Sequence, residues 1–165
     1  MKRLVLIAHN LRSCHNVGSI LRTADGLGVE RVFLTGYTPY PLQDNDNRLP
    51  HMARKTHKQI SKTALGAEDA VNWSFTPDIF SVIDSLRADN FQIIAIEQSK
   101  ESIELPDLKS SEDIALIVGR EIEGIEQEVL YACDKVVEIP MFGSKESYNV
   151  AQAAAMALYH CKFYA

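Results

Sequence analysis

Leu4-Val5-Leu6-Ile7-Ala8 is an unbroken apolar run bounded by polar residues. A run this short suits a strand buried on both faces, as in a parallel sheet. The same pattern recurs at Arg31-Val32-Phe33-Leu34-Thr35, at Phe91 to Ile96, at Ile114 to Val118 and at Lys135 to Ile139; Trp73-Ser74-Phe75 is a shorter candidate. Between these runs the apolar period lengthens to that of a helix over Val17 to Leu27, Ile79 to Ala88, Glu126 to Cys133 and Asn149 to Phe163. A Pro-, Asn- and Asp-rich loop covers Gly36 to Pro50, and a weak helix or loop follows around Met52 to Val71. Strands alternating with helices predict a three-layer α/β/α fold with a mostly parallel sheet.

Ligands of such sheets bind outside the carboxyl ends of the strands. Those ends carry Ala8-His9-Asn10, Glu97-Gln98-Ser99, Gly119-Arg120-Glu121 and Pro140-Met141-Phe142-Gly143. No strand is followed by GxGxxG. Gly119 and Gly124 have phosphate-loop spacing, but Ile125 stands where that loop needs lysine.

On the first predicted helix, Val17, Ile20, Leu21, Ala24 and Leu27 share one side. Arg22 falls nearly opposite, with Gly18 four residues before it and Gly26 four after. Each glycine weakens a helix by ~1 kcal/mol relative to alanine. Arg22 reads either as a plain surface arginine or as a side chain on a face kept bare for a large ligand. Asn16 stands where it can cap the helix. Glu121 lies in a turn after a buried strand and could orient Arg22 or a ligand. Ser147 or Asn149 could cap the last helix, whose alanines leave it thin enough for close approach of another helix or chain.

The 165 residues, 46% hydrophobic and 24% charged, suit one globular domain spanning 1–165. Met1-Lys2-Arg3 leads into an apolar run too short for a signal peptide or membrane span, so a cytoplasmic address is expected. Three cysteines without a CxxC pair, and scattered histidines, give no disulfide framework and no expected metal site.

The net charge of −5 is unevenly distributed. Residues 1–67 hold ten Lys and Arg against four Asp and Glu, a net of +6; residues 68–165 hold seven against eighteen, a net of −11. Met1 to Ala24, which includes Arg12, and Asn47 to Ala67 contain no acid; the second stretch carries Arg48, Arg54, Lys55, Lys58 and Lys62. These cations read either as a solvated face or as a local phosphate-binding patch.

Three stretches together carry a family resemblance. "NLRSCHNVGSILRTADGLGV" resembles a first motif with Asn followed six residues later by Arg, "IALIVGREIEGI" a second, Gly-x-Glu-x-x-Gly, and "IPMFGSKESYNVAQAAAMALY" a third, Ile-Pro-Met followed by Ser-Leu-Asn-Val. In this order and spacing the chain resembles the SpoU/TrmH branch of the SPOUT RNA methyltransferases. The chief departure is Tyr148, where the family usually has leucine; no appended RNA-binding domain is expected. The resemblance implies a C-terminal trefoil knot that forms an S-adenosylmethionine pocket. The pocket would use Ile96, Glu97, Gly119, Ile139, Pro140, Met141, Ser147, Tyr148 and Asn149. It also implies a homodimer with the active site at the subunit interface.

The implied reaction is methyl transfer to a ribose 2'-hydroxyl of tRNA or rRNA. Arg22 would activate or stabilise the nucleophile, with Asn16, Glu121, Ser147 and Asn149 as orienting partners. The candidate RNA surface is Arg12 with Arg48, Arg54, Lys55, Lys58 and Lys62. The alternatives are a non-catalytic RNA-binding protein that keeps the fold and a methyltransferase acting on a base nitrogen. No membrane or metal is expected in any of them.

Overall fold

The computed structural model describes residues 2–165; Met1, which opens the Met1-Lys2-Arg3 run and the first acid-free stretch, lies outside them. Seven parallel strands form one sheet: β1 (Leu4–His9), β2 (Arg31–Thr35), β3 (Trp73–Thr76), β4 (Phe91–Ile96), β5 (Ile103–Glu104), β6 (Asp113–Val118) and β7 (Lys135–Glu138). Their order across the sheet is β3-β2-β1-β6-β4-β7-β5. The helices are α1 (Cys14–Leu27), α2 (Pro50–Ala64), α3 (Ala67–Ala70), α4 (Ile79–Ala88), α5 (Gln127–Tyr131) and α6 (Val150–Phe163), with a 3-10 turn at Leu105–Asp107.

The period of two in β1 splits its side chains between two cores. Leu4, Leu6 and Ala8 pack with residues of α1, α2 and α6, whereas Val5 and Ile7 pack with residues of α4 and α5. β6 does the same, sending Ile114, Leu116 and Val118 one way and Ala115 and Ile117 the other. Double burial explains why both strands read as continuous apolar runs, and the three-layer expectation holds.

The order has one unusual feature. β7 lies between β4 and β5, although β5 comes first in the chain. The connection leaving β4 must therefore pass over the end of β7 to reach β5.

Local chemistry corrects several expectations. Ser13, not Asn16, caps α1, its side chain accepting from the Asn16 N–H. Asn149, rather than Ser147, caps α6 by accepting from the Ala151 N–H. The weak segment 52–71 is a full helix from Pro50, whose fixed φ suits a first turn, followed by the single turn of α3. α5 is shorter than expected, and the two-residue β5 was not expected at all. No cysteine is bonded; burial pushes the Cys133 and Cys161 thiols up to about 12.

Candidate active site

The carboxyl ends of β4, β6 and β7 meet the first residues of α6 around a small cleft with a cavity volume of about 100 Å³. Ile96, Val118, Ile139, Val150 and Ala153 supply apolar wall; Glu97, Glu121, Glu138 and Ser147 supply polar edge, and Tyr148 also lines the cleft. Pro140, Met141 and Asn149 do not line it; the first two follow β7 in an irregular segment, and Asn149 stands at the start of α6.

Glycines let the loop after β6 close tightly against Glu97. Gly124 has φ 70°, and a Cβ there would fall 2.2 Å from Glu97 Oε2. Glu97 in turn accepts from the Gln98 N–H and the Ile125 N–H, each at 2.9 Å. A Cβ on Gly119 would meet Ile125 Cγ1 at 2.5 Å. The Gly119 and Gly124 pair thus serves close packing, not a phosphate loop.

Three motif stretches meet in one hydrogen-bonded chain. Asn16 on α1 donates through Nδ2 to Glu121 Oε1 at 3.0 Å. Asn149 Nδ2 donates to Asn16 Oδ1 at 3.1 Å, while Asn149 Oδ1 caps α6. Residues 16, 121 and 149 are therefore coupled. Glu121, however, orients Asn16 and not Arg22.

A second network lies beside the first and was not legible beforehand. Asn10 donates through Nδ2 to Glu126 Oε1 at 2.7 Å and approaches His9 Nε2 at 3.0 Å. Asn10 is held at φ 56°, a left-handed conformation that Asn tolerates better than most residues. Arg120 reaches Glu126 Oε1 at 3.3 Å and donates through Nε to the Gly124 carbonyl at 3.2 Å. Burial alone would raise the Glu126 carboxyl. Its own backbone N–H and Asn10, with His9 and Arg120, hold it below the usual carboxylate range. Only the placing of His9-Asn10 at a strand end hinted at this role.

Arg22 is exposed, does not line the cleft of its own chain, and has no ion-pair partner among the described residues. Its two glycines differ. Gly18 is buried, and a Cβ there would meet Thr63 Oγ1 at 2.2 Å and the Ile60 carbonyl at 2.3 Å. It is the contact point of α1 with α2, so ligand clearance does not explain it. Gly26 meets nothing within 4 Å.

The basic residues also separate. Arg48 is turned inward, donating to Asp46 Oδ1 at 2.8 Å and to the Tyr40 and Pro41 carbonyls, over the Tyr40 ring. It holds the 40–48 loop and is not a free phosphate contact. Arg12 pairs with Glu123 at 3.2 Å and is otherwise exposed. Arg54, Lys55, Lys58 and Lys62 lie exposed on α2. Among the described residues no cluster of His, Cys, Asp and Glu could hold a metal ion, and no helix is long and apolar enough to cross a membrane.

Comparison with known proteins places this geometry. A tRNA (guanosine(18)-2'-O)-methyltransferase of Aquifex aeolicus is 29% identical over 164 residues, covering 98% of this chain and 69% of the relative. The protein of the same name from Borreliella burgdorferi is 27% identical over 158 residues, covering 94% and 64%. The chain therefore spans only about two thirds of these relatives' length. The crystal structure of the A. aeolicus TrmH/SpoU tRNA modifying enzyme superposes with TM-score 0.73 at 25% identity, covering 98% of this chain and 75% of that one. An AdoMet-bound rRNA methyltransferase from Sinorhizobium meliloti shares the fold, with TM-score 0.79 at 21% identity over 99% of this chain and 57% of that one. The model of the SpoU rRNA Methylase family matches residues 3–159, and the chain belongs to that family.

Proposed function

We propose that the protein methylates a ribose 2'-hydroxyl of tRNA or rRNA with S-adenosylmethionine as methyl donor. The observation that carries this reading is the Asn149–Asn16–Glu121 chain at the mouth of the β4–β6–β7 cleft. It joins three distant motifs at one site, and the relatives' names supply the reaction class.

The cleft fits the donor. Ile96, Val118, Ile139 and Ala153 form an apolar wall suited to an adenine ring; Glu97 and Glu138 are acceptors at its edge, suited to ribose hydroxyls or an ammonium group. When bound, S-adenosylmethionine supplies a methyl group on an electrophilic sulfonium. Asn16 and Asn149 hold each other and so fix the mouth of the cleft before RNA arrives, which lowers the cost of ordering it. Arg22 contributes positive charge where the 2'-oxygen gains negative charge. A guanidinium resists deprotonation, so stabilising the oxyanion and holding phosphate suit it better than taking the proton.

Arg22 stands six residues beyond Asn16, ~9 Å further along α1 and on another face. The reading therefore includes a homodimer in which Arg22 serves the cleft of the second copy. It also includes a C-terminal trefoil knot, which the passage of the β4–β5 connection over β7 supports.

The test is transfer of labelled methyl from S-adenosylmethionine to unmodified tRNA and rRNA transcripts, followed by nuclease digestion and mass spectrometry. A 2'-O-methylnucleoside is expected. A methyl on a base nitrogen would move the reaction class, and absence of transfer with RNA still bound would favour a non-catalytic RNA-binding protein.

A further inference from the structure

The arginines of this protein are mostly paired: Arg3 with Asp113, Arg12 with Glu123, Arg48 with Asp46, Arg87 with Asp134 and Arg120 with Glu126. α2 is different. It carries Arg54, Lys55, Lys58 and Lys62 and no Asp or Glu. All four are exposed, and none has an ion-pair partner among the described residues. At 100° per residue they fall within an arc of ~100°, with His51 inside it. The buried residues Ala53, Ile60 and Ala64 point the other way. From Arg54 to Lys62 the stripe rises ~12 Å.

Like charges at i, i+3 and i, i+4 weaken a helix. A chain with 22 Asp and Glu had ample means to relieve them, yet this face is left without counter-charge. We propose that the exposed face of α2 is the docking surface for the phosphate backbone of the RNA substrate, outside the cofactor cleft. This rests on the proposed function for the identity of the polyanion.

Three observations narrow the occupant. The stripe offers four cations along a line and no exposed Phe, Tyr or Trp ring, which favours backbone contact over base readout. The apolar side of α2 is buried against the protein core, and the exposed apolar side chains Leu49, Met52 and Leu65 stand only at its two ends, so the helix has no continuous apolar face to insert into a lipid surface, as an interfacial helix needs. The stripe is also coupled to the proposed reaction. α2 meets α1 at Gly18, where the Thr63 hydroxyl donates to the His15 carbonyl at 2.8 Å. Arg22 lies one turn beyond Gly18 on α1. A strand gripped along α2 is thus held beside the helix that carries Arg22.

The test uses the full chain, an unmodified tRNA transcript and an rRNA transcript, with affinities measured from 50 to 200 mM KCl. In the triple variant Lys55→Gln/Lys58→Gln/Lys62→Gln, affinity at 100 mM KCl should fall about tenfold or more. The slope of log affinity against log salt should flatten by about 2 to 3, at roughly 0.7–0.9 per released counterion. The triple Lys→Arg variant should keep both, and S-adenosylmethionine binding measured by calorimetry should be unchanged in each. If the Gln triple loses its fold, single Lys58→Glu is the substitute, with at least a threefold loss expected. An unchanged salt slope would overturn the proposal, as would equal displacement of RNA by polyglutamate or failure of the wild type to bind either RNA. Stripe-dependent binding without methyl transfer would sink the proposed reaction and leave the surface standing. Methyl transfer with an unaltered slope would do the reverse.

Discussion

Asn16 and Arg22 stand six residues apart on α1, and the fold treats their surroundings in opposite ways. Around Asn16, side chains are wired into the protein: Glu121, Asn149, Asn10, Glu126, Arg120 and Glu97 each have a side-chain or backbone partner within 3.3 Å. Around Arg22 and along α2 the charged groups have none among the described residues. Wired groups hold a shape in advance; unpaired cations stay available to a polyanion that arrives later. Under the proposed function the division separates a cofactor region from an RNA region, and each half is open to a distinct attack.

The largest effect is expected at Arg22. Removing one charge-stabilising donor from a transition state typically lowers turnover about 10²- to 10³-fold. Arg22→Ala should do so in a methyl-transfer assay while leaving S-adenosylmethionine affinity within about twofold of wild type. Asn16→Ala should lower both, because it releases Glu121 and Asn149 together. If Arg22→Ala weakened donor binding as much as turnover, the two regions would not be separable.

Next come the two glycines beside Arg22. Gly18→Val forces new atoms against the Ile60 carbonyl and Thr63, so α2 must shift. Overpacking of this kind costs about 1–3 kcal/mol. Gly26→Ala has open space and should gain up to about 1 kcal/mol. Urea titrations of the two variants should therefore move in opposite directions.

The sequence makes these glycines look alike. Both fall on the Arg22 side of the wheel, and only the arrival of α2, more than forty residues later, separates them. Legibility elsewhere follows the same rule. β2, α4 and β4 run over the residues that their period marks, because their burial is set within the element. β5 is two residues long and carries no period to read. Arg48 departs from the basic patch for a local reason. The acid-free stretch begins at Asn47, one residue after Asp46, the partner that draws Arg48 inward. The Asn10–Glu126 contact joins positions 116 apart, and no local pattern announces it. The Asn16, Glu121 and Asn149 positions were legible through motif resemblance, but their mutual hydrogen bonds needed the fold.

Asn149 lies on the wired side and has two tasks. Asn149→Ala loses the α6 cap, which costs about 0.5–2 kcal/mol, and frees Asn16 Oδ1. Asn149→Asp keeps an acceptor for the Ala151 N–H but puts a second carboxylate oxygen toward Asn16 Oδ1. It should recover most of the stability and little of the donor affinity. Equal recovery of both would mean that the cap alone matters.

The smallest effect is one of pH, and its sign is fixed by the wiring. Asn10 Oδ1 accepts from the Tyr37 N–H at 3.1 Å, which turns Nδ2 toward His9 and Glu126. Its two protons serve His9 Nε2 and Glu126 Oε1. His9 is then neutral, with Nε2 accepting and Nδ1–H donating to Thr35 Oγ1 at 2.8 Å. Burial holds the His9 pKa below the usual histidine value; Glu126 pulls it up and Arg120 pushes it down, each more weakly than burial. Unfolded, His9 takes a proton near pH 6.5. Below that value the unfolded chain binds a proton that the folded chain refuses, so stability is complete above it and declines as pH falls toward the lowered folded value. One proton contributes at most about 1.4 kcal/mol per pH unit. Carboxylates held low, Glu126 and Asp113 among them, act with the same sign but only below about pH 4.5. Urea midpoints between pH 7 and pH 5 isolate the His9 part, and His9→Gln should flatten it. The opposing force is a single contact. Glu126 Oε2 is buried without a hydrogen-bond partner among the described residues, 3.3 Å from His9 Nε2, and a proton on the ring would satisfy it. A midpoint that rises toward pH 5 would mean that this contact outweighs burial, and His9 would then belong with the groups that wait for a charge.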